Sequence, residues 1–495
     1  MKKKIKTKIN GKEILKEVEH LNTIMNENKE QNRNNKVKNI LAELLNKINI
    51  VDFRDYTNMT HDKSRLLKKH YIVSVVELLI KTTKENNFNL CRKDGMIYLF
   101  NLEFWENITN EIFKDFLGKV SLKMGVEKFD AKHFNFKDDL YRQFISDAGL
   151  EEIKGNSKTT LINLKNGTFE ISPKKQFLRG FRQEDFITYQ LPFNYDKNAS
   201  IETFQKYLDT VLPEKELQSI LAEYIGYIFI KPSVLKLEKV LLLYGSGANG
   251  KSVLFEIISA LLGQQNTSNY SLQSLTDDKG YSRAMLTNKL LNYASEINGK
   301  LESSMFKQLV SGEPVEARLP YGKPQIISDY AKFIFNTNEL PKEVENTNAF
   351  FRRFLILPFR KTIPENQQDK GLAKKIISKE LSGVFNWALE GLKRLLVNKQ
   401  FTDSSIARNE VDQFRKESDS VLMFIEEEGF KKSITEFILL KDLYNLYCNY
   451  CYENGNRKTA KKTFSKRLIN VGFEKERKNE GIVFYITSKN NSITF

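Results

Sequence analysis

Gly245-Ser246-Gly247-Ala248-Asn249-Gly250-Lys251-Ser252 is the stretch on which the fold turns. It fits G-x-x-x-x-G-K-[ST] at every position. Glycines let successive backbone N–H groups curl around phosphate oxygens, and a helix starting near Lys251 points its positive dipole end at them. Lys251 reaches the β- and γ-phosphates as a point charge, and Ser252 is of the right type to ligate Mg²⁺. The flanks agree. Val240 to Tyr244 reads as an apolar strand and Lys251 to Leu262 as an apolar helix.

Hydrolysis needs more than a cradle. In-line attack on a γ-phosphate requires an acid for metal or water, a polar group to sense the phosphate, and a cation for the developing charge. Each has a candidate beside a predicted strand. Leu290 to Ala294 runs into Ser295-Glu296, Lys332 to Phe335 runs on to Asn338, and Arg352-Arg353 immediately precedes Phe354 to Leu357. Short β-like runs alternating with helical ones predict an α/β fold with a parallel sheet sandwiched by helices. Such sheets gather ligands at their strand ends.

Outward from this core, 201–236 is helical and 1–90 reads as a helical accessory region. Ile14, Val18, Leu21 and Met25 share one face there, and an asparagine-rich linker, 26–39, follows. Region 91–200 has short apolar runs punctuated by Asp94-Gly95 and Asn166-Gly167, which predicts mixed α and β. The nucleotide domain then spans 237–400, and 401–495 forms a basic tail.

In the tail, Leu440, Leu443, Tyr444, Tyr447, Cys448 and Cys451 recur at helical spacing, so the two cysteines read as core rather than as a metal motif. A helix over about 459–471 buries Phe464 and Leu468 and lines another face with Lys458, Lys462 and Lys466. Arg457 to Lys478, which also holds Lys461 and Arg467, has nine basic residues against two acidic ones. A hairpin about Asn479-Glu-Gly481 completes three helices and a wing, a winged helix whose last helix enters the DNA major groove. A merely solvated basic helix is the other reading.

Composition sets the limits. The 495 residues carry 78 basic and 62 acidic side chains, a net charge of +16, which favours a polyanionic partner. Hydrophobic residues make up 40%, enough to exclude global disorder. Three cysteines give no disulfide framework, which suits a reducing cytoplasm. No apolar run follows the basic start and none approaches a membrane span, so neither a secretory leader nor a membrane partner is expected.

Gly247 to Ser252, Ser295-Glu296, Ser311-Gly312-Glu313-Pro314, Asn336-Thr-Asn338-Glu-Leu-Pro341 and Phe351-Arg352-Arg353 together resemble superfamily 3 helicases. More narrowly they resemble the phage/plasmid primase–helicase family of mobile elements and DNA viruses, over about 200–495. Leu164-Lys-Asn-Gly167 and Leu191-Pro-Phe-Asn-Tyr195 extend the likeness into the middle region. The resemblance implies an AAA+ motor that uses ATP and Mg²⁺. It also implies a homo-hexameric ring, 3′ to 5′ unwinding of single- and double-stranded origin DNA, and replication accessory proteins as partners. By the same resemblance Lys251 and Ser252 hold phosphate and Mg²⁺, Glu296 is the Walker B acid, and Asn338 orients the attacking water. Arg352 or Arg353 is the finger that reaches a neighbour's γ-phosphate. A hairpin between Glu296 and Asn338 is implied to grip DNA; Arg318 to Pro324 supplies the turn, with Arg318 and Lys323 as candidate DNA contacts and an ordinary exposed loop lysine as the other reading of Lys323.

This sequence departs from the family in two places. Ser295 stands where many Walker B strands carry a first acid, and no Asp-x-Asp precedes residue 240, which argues for a helicase without primase chemistry. Two other functions fit the same residues. One is an initiator in which ATP only switches assembly on DNA, and the other is an ATPase that moves DNA without opening it.

Overall fold

The computed structural model describes residues 37–59, 65–93, 96–149, 159–295, 301–319, 322–341, 344–456 and 458–487. Backbone contacts divide the chain into two units, Met1–Tyr195 and Asp196–Phe495. Among the described residues, no helix is long and apolar enough to cross a membrane.

The first unit begins with helix α1 over 37–46 and α2 (Lys68–Glu85). A meander follows of β1 (Leu90–Lys93), β2 (Met96–Phe100) and β3 (Trp105–Ile108), then helices α3 (Asn110–Met124) and α4 (Phe134–Asp147). Each helix is amphipathic and must cover its apolar stripe. They do so together, since Leu41, Val75, Leu79, Phe113, Leu117, Leu140 and Phe144 share one buried core. The expected division at residue 90 falls inside that core, because the buried face of α2 is covered by α3 and α4 from beyond it. A second antiparallel sheet, β4 (Thr160–Leu164), β5 (Gly167–Ile171) and β6 (Gln176–Arg179), turns at Asn166-Gly167.

The second unit opens with α5 (Glu202–Val211) and α6 (Lys215–Tyr227). Then come β7 (Val240–Tyr244), α7 (Lys251–Leu262), β8 (Thr267–Ser268), β9 (Leu291–Ser295) and α8 (Ser303–Ser311). A small hairpin, β10 (Val315–Ala317) and β11 (Gln325–Ile327), precedes β12 (Lys332–Thr337). The turn α9 (Asn348–Phe351) leads to β13 (Phe354–Pro358), followed by α10 (Leu372–Lys379) and α11 (Leu381–Asn398).

The strands β13-β7-β12-β9-β8 form one five-stranded sheet in that order, parallel at every pairing. Such strands are covered on both faces, which is why β7 is an unbroken apolar run with Val240 to Leu243 fully buried. Truncating Leu242 to alanine there removes about 2–5 kcal/mol. The register aligns Thr337 and Pro358 with Tyr244, and Asn336 with Ser295, so the carboxyl ends of four strands form one edge.

Helix α12 (Ser405–Glu417) packs on β13 and contributes Phe414 to the core of the sheet. The expected tail boundary at 401 therefore precedes a helix that belongs with the nucleotide domain. The tail's own core begins at Val421 and ends at Ile486. It comprises α13 (Ser420–Glu427), β14 (Lys431–Lys432), β15 (Ile438–Leu439), α14 (Leu440–Glu453) and α15 (Lys461–Asn470). Strands β16 (Lys475–Lys478), β17 (Gly481–Phe484) and β18 (Ile486–Thr487) close it, with β15-β17-β16 as one antiparallel sheet. Leu443, Tyr447 and Cys451 are buried as the helical spacing predicts.

Candidate nucleotide site

The loop 245–250 leaves the centre of the sheet and is held from three sides. From below, the Gly245 N–H donates to Thr337 O at 3.2 Å. From the segment after β13, the Ile363 N–H donates to Ala248 O at 2.8 Å, and Asn249 Nδ2 donates to Phe359 O at 3.1 Å. From α5, Tyr207 Oη donates to Gly250 O at 2.9 Å. Glycine is required at two of these positions. A Cβ at Gly245 would lie 2.3 Å from Phe359 O, and Gly250 has φ 89° with Val211 Cγ1 2.7 Å from where a Cβ would sit. Ser246, Gly247 and Ala248 remain exposed, as a phosphate cradle must.

Lys251 is the first residue of α7 and is only 7% exposed. Burial lowers its pKa below the usual lysine value. Its ammonium donates to Gly245 O, to Ser246 O at 3.3 Å and to Asn338 Oδ1 at 3.3 Å. Residues 87 positions apart thus meet over the loop. Ser252 is exposed one residue into the helix, and Asn338 is exposed immediately after β12. Ser295 ends β9 beside Asn336. Glu296, the expected acid, lies outside the described residues.

Arg352 and Arg353 sit at the other edge of the sheet. The Val240 N–H donates to Arg353 O at 2.8 Å, so the pair flanks the start of β7 and β13, whereas the loop leaves the end of β7. Five strand residues separate the two edges, about 16 Å. The two arginines differ sharply. Arg353 is buried, donating from Nη2 to Ser311 Oγ at 2.9 Å and from Nη1 to Ala349 O. Arg352 has 58% of its side chain exposed, with Nη2 3.2 Å from Glu238 Oε2. Glu238 also lies 3.4 Å from Arg353.

The candidate DNA contacts are scattered over several elements. Lys323 is exposed in the loop joining β10 and β11, whereas half-buried Arg318 donates from Nε to Lys279 O at 3.2 Å and covers the Tyr281 ring at 5.4 Å. Lys458, Lys461, Lys462 and Lys466 are exposed on and before α15, Lys461 lying 5.9 Å over the Tyr444 ring. Arg467 is different, since its Nη1 is 2.9 Å from the buried carboxylate of Asp419. Sequence reasoning missed Tyr207, Asn249's tie to Phe359, and Tyr293, whose hydroxyl donates to Asn336 Oδ1 at 3.0 Å beneath the site. Periodicity marks such tyrosines as core but does not say what their hydroxyls reach.

Three family models match separate segments. "D5 N terminal like" covers 77–213, a family of unknown function (DUF5906) covers 243–353, and "Poxvirus D5 protein-like" covers 416–493. The "Putative helicase L207/L206" of Acanthamoeba polyphaga mimivirus is 24% identical over 237 residues, 44% of this chain. The match spans 24%, about a quarter, of that relative's length. Two structures of the apo C-terminal region of NrS-1 (A form) align over 83% and 84% of this chain and 98% and 99% of theirs, at 13% and 12% identity. Their TM-scores are 0.47 and 0.46. In the sequence, then, D5-like segments flank the part that carries the glycine-rich loop, and the mimivirus relative that this chain resembles is named as a putative helicase.

Proposed function

We propose that this chain is an ATP-hydrolysing replicative DNA helicase of the superfamily 3, AAA+ type, working as a hexameric ring that opens origin DNA of a mobile element or virus with 3′ to 5′ polarity. One observation carries the reading: the Lys251–Asn338 contact and Arg352 lie at opposite edges of one sheet. A catalytic cation a strand length from its own phosphate cradle serves a neighbour's cradle instead.

In this reading the backbone N–H groups of 245–250 and the Lys251 ammonium bind the phosphates. Lys251 then exchanges its carbonyl partners for phosphate oxygens. Asn338 stands within reach of the terminal phosphate and orients the attacking water. Ser252 and Glu296 would hold Mg²⁺, which would supply charge neutralisation at the phosphates. Arg352, exposed and paired with Glu238, is the finger; Arg353 holds the segment that carries it. The tail is a winged helix in this reading, since three helices and a β15-β17-β16 sheet, its first strand between α13 and α14, would set α15 with its exposed lysines against a major groove.

Mixing two inactive proteins tests this reading. Lys251→Ala lacks a cradle and Arg352→Ala lacks a finger, so a mixed ring regains intact sites between unlike neighbours. Recovered ATP turnover on mixing is the expected result, measured with forked DNA alongside strand separation. No recovery, from proteins that bind DNA and assemble, would reject the shared site. Turnover and DNA binding without strand separation would leave an ATP-switched initiator.

A further inference from the structure

Asp419 stands at the start of the tail, and its side chain is 6% exposed. Its two carboxylate oxygens face different parts of the unit. Oδ1 accepts from Arg467 Nη1 on α15 at 2.9 Å, and from the Val421 N–H at 3.0 Å as the cap of α13. Oδ2 accepts from Asn346 Nδ2. Asn346 lies in the segment that leads to Arg352. Next to it, Thr347 caps α9 by accepting from the Phe350 N–H at 3.3 Å, and α9 ends at Arg352. On the other side Glu345 is fixed by Lys307 at 2.8 Å. A second contact runs alongside, because Phe414, five residues before Asp419, packs edge-on against Phe351 at 5.2 Å.

A buried carboxylate does not give up one charged partner without resetting the others. An anion brought against α15 competes for the Arg467 guanidinium, since charge-assisted hydrogen bonds to phosphate and carboxylate are alike in kind. Any change at Oδ1 is then felt at Oδ2, and so by the five residues between Asn346 and Arg352. We infer that Asp419 is a positioning residue that couples DNA engagement by α15 to the setting of Arg352. The inference rests on the helicase reading above and adds a route by which DNA stimulates turnover.

Two variants cut the route at different places. Asp419→Asn keeps an oxygen to cap α13 but weakens the hold on Arg467. Asn346→Ala removes the other end and leaves both cap and ion pair intact. The measurements are steady-state ATP turnover with and without a forked duplex of random sequence, affinity for that duplex, and hydrogen exchange over 344–353 with and without it. In the unmodified protein the duplex raises turnover about fivefold or more, the scale of ordinary site-to-site coupling, and changes exchange in that segment. Both variants should keep basal turnover, lose the stimulation, and show no DNA-dependent exchange change at 344–353; duplex affinity should be unchanged in Asn346→Ala and raised in Asp419→Asn, where Arg467 is released. Full stimulation and an unaltered exchange response in Asn346→Ala would overturn the inference, even if Asp419→Asn does not fold. Wild-type protein that hydrolyses ATP and binds the duplex but shows no stimulation would overturn it too, leaving the helicase site standing. Wild-type protein that neither hydrolyses ATP nor binds DNA would instead remove the functional reading itself.

Discussion

The two edges of the central sheet are built by opposite means. At the carboxyl edge the chain forms a cradle from backbone, with glycines where a Cβ would collide and Tyr207, Asn249 and Ile363 tying the loop down. At the amino edge two adjacent arginines do different work, one buried as a strut and one left in solvent. The loop is tied to its own subunit on three sides. In the function proposed above, the exposed arginine serves a neighbouring subunit. That difference is why the hydrolytic centre proposed above is a property of an assembly.

The strongest blow to the carboxyl edge is Lys251→Ala. Without the ammonium over the phosphates, turnover should fall about a thousandfold or more while DNA affinity is unchanged, as steady-state kinetics and anisotropy would record. Retained turnover would remove the active site from this loop. At the amino edge Arg352→Ala should lower turnover about a hundredfold or more with an unchanged melting temperature. Arg353→Ala separates the two roles by costing about 3 kcal/mol of stability, because it strips a buried hydrogen-bonded charge from Ser311 and Ala349. Equal stability losses in the two variants would erase the distinction between strut and finger.

Smaller changes sharpen the comparison further. Lys462→Ala with Lys466→Ala should reduce the slope of log affinity against log salt by about two units and leave both edges intact. An unchanged slope would give the tail's charge another purpose. Tyr207→Phe removes one hydrogen bond beneath Gly250, worth about 1 kcal/mol. It should raise the KM for ATP a few-fold with little effect on DNA affinity. A KM equal to wild type would mean the loop holds its shape without that hydroxyl.

The glycine-rich loop, its flanking strand and helix, and the parallel sheet were legible because short-range rules fix them: glycine spacing, apolar runs and helix starts. The tail's helices and hairpin were legible for the same reason. Arg352 and Arg353 were not separable, since adjacent residues of one type share every local property. Their environments diverge through Ser311, 42 residues away in the chain, which holds Arg353, whereas Glu238 lies near both. Arg467 looked like one more basic residue of a DNA-facing helix until Asp419 appeared beside it. The division expected at 90 failed for a related reason. A change of texture along the chain is local, but helices on both sides of it bury their apolar faces in one another.

The sequence by itself determined the kinds of element present and where the glycine-rich loop turns, because backbone geometry and side-chain type act over a few residues. Tertiary structure alone decided which arginine reaches solvent, what the tyrosine hydroxyls hold, and that one buried carboxylate joins α15 to the segment before Arg352. Burial and pairing depend on contacts between distant residues, and packing settles those only once the whole unit has folded.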